Sequence, residues 1–498
     1  MVRAGPKLMK TTGAGPSRPI PWDPSFEDQK HYPHFDAPLR LSEIKKIVND
    51  PKRVASNAFF PLIQYEKKWQ PFRKPRGEPS ETGEPKRPSK KSRLIRYAAR
   101  RDAYIFARYR RILSPLYELE LEKRDIADVP IAYRKIQGPT GRGKCNIEFA
   151  RDVFDTIKRL GDCYVITLDI SKFFESLDHE RIRKLWENLL EVRSLPADHK
   201  AVYKALTDYR WVDRTEAYRR LGYFGEKLTE KGEKIEGYLT PFAMMPKQLC
   251  SPAEFRDKIA GNGRQPSIIN SNPHQYGIPQ GTPISDLIAN LYMVDFDQHI
   301  RNLATKSGGR AYRYSDDILL IVKACSDQAA LNIEEDVRST IAQFGSEIKI
   351  KEEKSSVHHF FPDGENQAFR RVTGKGANGL EYLGFRFDGK HVFIRDSTLS
   401  NLKRKMTFAG RIRANRHKRR YSNRTSEELI ESFNFDQFFQ SFMRVEDFDT
   451  ASSVRQWTFW TYARRAVEAF GPRGKPIDRQ LKFLKPDGRR QIEGELRS

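Results

Sequence analysis

Asp169, Asp316 and Asp317 are the residues whose type and placement could do chemistry. Asp169 lies near the end of a β-rich apolar run, Cys163 to Ile170 (CYVITLDI), and the other two fill the turn of YRYSDDILLIV. A strand end beside a hairpin turn can hold carboxylates within ~4 Å of one another, which suits two Mg²⁺ ions about 3.5 to 4 Å apart. Taken alone, an Asp-Asp pair also reads as a solvated turn, because Asp suits turns for local hydrogen-bonding reasons. Here apolar strands flank the pair, and Ile318 to Val322 is a run of the buried type. The carboxylates are therefore expected at the rim of a core.

The elements that must position them follow from periodicity. Strand-like and helix-like blocks alternate beyond Arg151, the mark of an α/β or α+β domain. Asp178 to Leu190 reads as a helix, and Gly281 to Asp297 as another, opened by Thr282 and Pro283. Ser326 to Phe344 is amphipathic, with Ile333, Val337, Ile341 and Phe344 on one face. Strands are expected at Tyr382 to Phe387 and His391 to Ile394, and Thr425 with Glu428 forms a capping-box pattern. Ser92 to Tyr117 is expected to be helical. Residues 1 to about 30 and Pro71 to Lys91 read as flexible or extended, with a short helix between Leu39 and Trp69.

Composition narrows the function classes. The chain has 498 residues and 90 Lys and Arg against 65 Asp and Glu, a net charge of +25. Such a field concentrates polyanions. At 38% hydrophobic and 11% aromatic residues the chain is not disordered throughout. No apolar run approaches the ~20 residues of a membrane span, and no secretory signal opens the chain. Four dispersed cysteines, Cys145, Cys163, Cys250 and Cys325, fit a reducing compartment.

Five blocks together resemble the right-hand polymerases of the reverse transcriptase type. LDISKFFESLDHERI (Leu168 to Ile182) is similar to the first palm motif, GIPQGTPISDLIANLYM (Gly277 to Met293) to the second, and YSDD (Tyr314 to Asp317) to the third. Lys354 in KIKEEKSSV and the primer-grip-like LEYLGFRF (Leu380 to Phe387) follow in the family's order. DAYIFARYRRILSPLYELEL, AYRK, GKCNIEFARDVF and KQLCSPAEFR resemble bacterial reverse transcriptases of the abortive-infection and defence-associated kind.

The resemblance implies an α+β right-hand fold. Its parts would be a basic N-terminal extension at 1–91, fingers at 92–162, a palm at 163–395 with an insertion at about 191–276, a helical thumb at 396–470 and a basic tail at 471–498. It implies that Asp169, Asp316, Asp317 and the carbonyl of Ile170 hold two Mg²⁺ ions, with Mn²⁺ as a substitute. Phe174 would press on the sugar and exclude a 2′-hydroxyl, or be a core ring. Gln280, Gly281 and Ser285 would line the nascent base pair and template, although Asp286 stands where the family usually has proline. Lys354 would donate a proton to pyrophosphate, or be a solvated lysine.

Arg134 and Lys144 are the expected triphosphate grip, with Lys135 and Arg142 as neighbours. Lys403 to Arg424 holds ten Lys or Arg and no acid, so Arg416, Lys418, Arg419 and Arg420 are expected to track phosphates. A solvated face is the alternative. Trp457, Phe459, Trp460 and Tyr462 read as thumb core.

The implied activity is RNA-directed DNA synthesis from dNTPs on a noncoding RNA template, in the cytoplasm of a bacterium and in antiviral defence, with no membrane partner and homo-oligomerisation left open. The alternatives are an untemplated or protein-primed DNA polymerase of the same fold, and a non-catalytic nucleic-acid-binding scaffold.

Overall fold

A computed structural model describes residues 20–69, 91–138, 141, 143–229, 232–263, 265–323, 326–374, 378–443 and 458–498. The expectations for residues 1–19 and 71–90, and for Arg142, Cys325 and Trp457, lie outside these. The central antiparallel sheet runs in the order Asn366–Gly374, Ser356–Asp363, Cys163–Ser171, Asp317–Val322, Arg310–Tyr314. Lys349–Ile350 extends it at the Ser171 end.

The middle strand is apolar on both faces, and each face feeds a different core. Tyr164, Ile166, Leu168 and Ile170 join Ile318, Leu320 and Val322 in one cluster with residues of the helices Ser285–Tyr292, Val294–Lys306 and Asp327–Ile341. Cys163 and Val165 join Leu319, Ile321 and Phe360 in the other, with residues of the helix Asn146–Leu160 and the C-terminal helices. Alternation with period two, covered on both sides, explains why the run carries no polar residue before Thr167.

The N-terminal region departs from expectation. Residues 20–69 are not an appendage: Trp22, Ile44, Val48, Val54 and Leu62 enter the first core. The region holds two helices, Leu41–Val48 and Pro51–Ala55, and a strand, Leu62–Trp69. The helix expected from Ser92 starts only at Arg100 and runs to Lys123, because Lys91–Tyr97 is a strand paired with Leu62–Trp69. A strand whose partner lies some thirty residues back leaves little local signature.

The insertion at about 191–276 belongs to the same body. Its strand Arg210–Asp213 pairs in parallel with Leu62–Gln64 and antiparallel with Asn270–Ser271. Phe35, Ile63, Val212, Tyr218, Leu249 and Ile259 close a third core there.

The primer-grip-like segment is a three-stranded meander, Leu380–Tyr382, Phe385–Phe387 and Val392–Ile394, rather than two strands. A 25-residue helix, Asp396–Arg420, follows it, and the capping box at Thr425 and Glu428 opens the next helix, Ser426–Ser432. Phe459, Trp460 and Tyr462 pack partly buried on the second core. Residues 471–498 are not a free tail. Leu484–Arg497 lies along Asp396–Arg420, tied by Lys403 to Asp487 at 2.9 Å and Arg411 to Glu495 at 2.7 Å, with Ile492 and Leu496 buried. A Cβ on Gly410 would stand 2.8 Å from Ile492, so the two helices meet where a side chain is missing. No helix among the described residues is long and apolar enough to cross a membrane.

Candidate active site

Strand pairing places Asp169 directly opposite Asp317, one step beyond Leu168 and Ile318. The hairpin between Tyr314 and Asp317 turns through Ser315, whose φ of +60° is left-handed. Ile170 N donates to Asp316 O at 3.0 Å and fastens the turn to the neighbouring strand. Beneath it Arg313 is fully buried. Its guanidinium grips Asp297 at 2.6 and 2.7 Å and donates to Asn290 Oδ1 and the Ser315 carbonyl, each at 3.1 Å. The motif hairpin is thus anchored from below to the helices Ser285–Tyr292 and Val294–Lys306.

Removal from bulk water pushes the Asp317 carboxyl up to about 7, with Asp316 and Asp169 adding repulsion. Asp316 is raised too, first by burial and then by Asp169. Asp169 is held differently: Lys351 Nζ lies 2.7 Å from its Oδ1 and Lys354 Nζ 2.6 Å from its Oδ2. Both lysines sit at the ends of the short turn Glu352–Lys354, and Lys351 N also donates to the Asp169 carbonyl at 2.8 Å. Lys354 therefore lies in contact with Asp169. Lys351 was not anticipated; its only signal was a spacing of three from Lys354.

The donor set suits a hard divalent cation. It offers carboxylate oxygens from three Asp, two of them carrying repulsion that a cation would relieve. Among the described residues no group of three or more His, Cys, Asp or Glu closes around a single metal position, and ammoniums cover both oxygens of Asp169. Ile170 is fully buried and in register with Ile350.

The second motif packs against the first and against the strand Lys91–Tyr97. Ile278 N donates to the Phe174 carbonyl at 2.7 Å, and Arg96 N donates to the Gln280 carbonyl at 2.9 Å. Gly281 has φ +124°, and a Cβ there would stand 2.6 Å from Arg96 O, so only glycine permits this approach. Ser285 is buried, its hydroxyl bonding Pro279 O at 2.6 Å and Thr282 Oγ1 at 2.5 Å. Asp286, in place of the usual proline, pairs with Arg110 of the helix Arg100–Lys123. The Phe174 ring is mostly buried beside Phe173.

The expected triphosphate grip is engaged elsewhere. Arg134 binds Glu118 through Nε and Nη2 and donates from Nη1 to the carbonyls of Ala127 and Pro130 at 2.6 and 2.7 Å, with 7% of its side chain exposed. Lys144 pairs with Asp152 at 2.5 Å. Two cations act on Asp316 through space, Lys354 first and then Arg93, on the strand Lys91–Tyr97. Tyr133 adds a hydroxyl 3.3 Å from Ser315 Oγ, and its ring stands 6.5 Å from Tyr314. Sequence reading missed both residues, since a lone Arg in a basic stretch and a Tyr in a loop carry no periodic signal.

Arg416, Lys418, Arg419 and Arg420 occupy the end of the helix Asp396–Arg420. Arg416, Arg419 and Arg420 are exposed and Lys418 is half-buried; Arg420 lies 5.6 Å over the Tyr421 ring.

The sheet, the hairpin turn and the helices around them form the α+β arrangement expected of a polymerase palm. Residues 263–387 match the family model described as reverse transcriptase (RNA-dependent DNA polymerase). The match takes in Gln280, Asp316, Asp317 and Lys354, and begins beyond Asp169. No curated protein matches the chain. Among solved structures, an apo telomerase from Candida tropicalis truncated from its C-terminal domain is similar at 12% identity and TM-score 0.35, over 61% of this chain and 52% of that one. Telomerase from Candida albicans, in complex with a TWJ fragment of telomeric RNA, is similar at 11% identity and TM-score 0.35, over 91% of this chain and 65% of that one. The chain spans about half the length of the first of these.

Proposed function

We propose that the chain is an RNA-directed DNA polymerase that adds dNTPs to a 3′ end at Asp169, Asp316 and Asp317. The observation carrying this reading is the register of Asp169 against Asp317 beside the Asp316 turn, the last two residues lying in the segment that matches the reverse transcriptase model. Asp169, Asp316 and Asp317 would hold Mg²⁺, or Mn²⁺ in its place. Bound there, the metal supplies charge neutralisation for the triphosphate and a lowered pKa for the primer hydroxyl. Lys354, already at the carboxylate, is placed to hand a proton to the leaving pyrophosphate. Arg93 adds positive charge whose field reaches Asp316.

The finer reading is a cytoplasmic bacterial enzyme that copies a noncoding RNA in antiviral defence, its partners being that RNA, the DNA product and dNTPs. The experiment is incorporation of labelled dNTPs on a primed RNA template, with and without Mg²⁺, by the parent and by Asp316→Asn and Asp317→Asn. Loss of a ligand that stabilises transition-state charge costs roughly 4 kcal/mol, about a thousandfold in rate. Template-matched product lost in both variants is expected. Homopolymer without a template would favour the untemplated polymerase, and no incorporation by the parent would favour the scaffold. Sequencing the RNA and DNA that co-purify from cells tests the noncoding template.

A further inference from the structure

A second concave site lies outside the palm, between the N-terminal segment and the insertion. The helices Pro51–Ala55, Arg100–Lys123 and Ala197–Thr207 and the loop before Leu62 enclose a groove of about 430 Å³, in the range of small-molecule sites. Phe59, Phe60 and Phe106 line one part of it, with Phe59 and Phe106 rings 5.6 Å apart. Lys200, Lys204 and Arg210 line another. All three cations are exposed, and none makes a side-chain hydrogen bond or ion pair among the described residues. Other basic side chains near the central sheet, among them Arg134, Lys144 and Arg181, are paired.

The acids of the groove do not offset this charge. Asp102 is buried, its oxygens taken by Asn57 Nδ2 at 3.0 Å and Phe60 N at 2.8 Å, which leaves Asp208 as the exposed acid of the lining. Three unpaired cations beside recessed aromatic faces match phosphates joined to an accessible base face. A duplex would offer only the phosphates, since its bases are stacked away.

We propose that this groove binds an unpaired polynucleotide strand, with a base against Phe59 and Phe60 and the adjoining phosphates on Lys200, Lys204 and Arg210. None of the lining residues is one of the catalytic carboxylates or a bonded partner of one, so the proposal does not rest on the chemistry at Asp316. Stacking on aromatics beside a cationic track is how single strands are held without reading sequence.

The test measures binding of a fluorescent uridine 12-mer against salt, for the full chain and for Lys200→Gln, Lys204→Gln, Arg210→Gln combined. Three phosphate contacts at about 0.7 each predict a slope of log K against log salt flatter by ~2. The arginine-retaining control, Lys200→Arg with Lys204→Arg, should keep the parent slope. In the unaltered chain, a 5-iodouridine 12-mer should photo-cross-link at Phe59 or Phe60, in ribo or deoxy form alike. An unchanged slope, cross-links only elsewhere, equal slope losses on blunt duplex, or full competition by uridine monophosphate alone would each overturn the proposal.

Discussion

The ammonium of Lys351 lies 2.7 Å from Asp169 Oδ1, on the carboxylate that stands opposite Asp317 in the central sheet. Lys354 takes the other oxygen at 2.6 Å, so two cations serve one carboxylate while Asp316 and Asp317 keep their mutual repulsion. A divalent ion approaching Asp169 must therefore displace an ammonium.

Replacing Lys351 with Met removes that competitor without touching the carboxylates. The Mg²⁺ concentration that half-saturates dNTP incorporation should fall. Lys354→Met should instead lower the maximal rate by about a hundredfold or more, within the ~10²–10⁴ range of a positioned proton donor. Titrating Mg²⁺ in primer extension with both variants separates the two roles, and identical curves would remove the distinction.

Phe174 tests sugar selection. If its ring blocks a 2′-hydroxyl, Phe174→Ala should incorporate ribonucleotides that the parent rejects. Single-nucleotide extension with each rNTP reads this directly. A folded variant that discriminates as the parent does would make the ring core packing alone.

The buried pair Arg313–Asp297 supports the catalytic turn. Asp297→Ala strands a buried guanidinium and should cost about 3 to 5 kcal/mol in urea unfolding. Replacing both partners, Asp297→Leu with Arg313→Met, should recover much of that stability, because an apolar pair needs no charge compensation. Activity should stay low in the double variant, since the Ser315 carbonyl loses its donor. Recovery of activity together with stability would show that Arg313 serves packing only.

Asp102 makes stability pH-dependent. Burial pushes its carboxyl up to about 7 from an ordinary value of 3.8, so the folded chain favours the neutral acid. The stabilisation is full below the unfolded value and is lost as pH rises through about 7, amounting at most to ~4 kcal/mol. Unfolding free energy should therefore decline between pH 4 and pH 7 by more in the parent than in Asp102→Asn. Parallel curves for the two would place the charge in water.

The sequence by itself determined what spacing and periodicity can carry. The strand ending near Asp169, the Asp316–Asp317 turn, the helix Asp327–Ile341 with Val337 and Ile341 buried, and the cap at Thr425 were all legible. Each depends on neighbours within a turn or a strand length. Tertiary structure alone decided that residues 20–69 and the insertion form one sheet, because Leu62–Gln64 pairs with a strand about 150 positions away and nothing local specifies that register. It likewise decided that Leu484–Arg497 packs along the helix Asp396–Arg420, where charged residues that looked like a tail are the outer face of a packed helix. Arg93, Tyr133 and Lys351 were invisible for a related reason. A single polar side chain gains its role from what the fold brings opposite it, and their counterparts Asp316, Ser315 and Asp169 are 223, 182 and 182 residues removed in the chain.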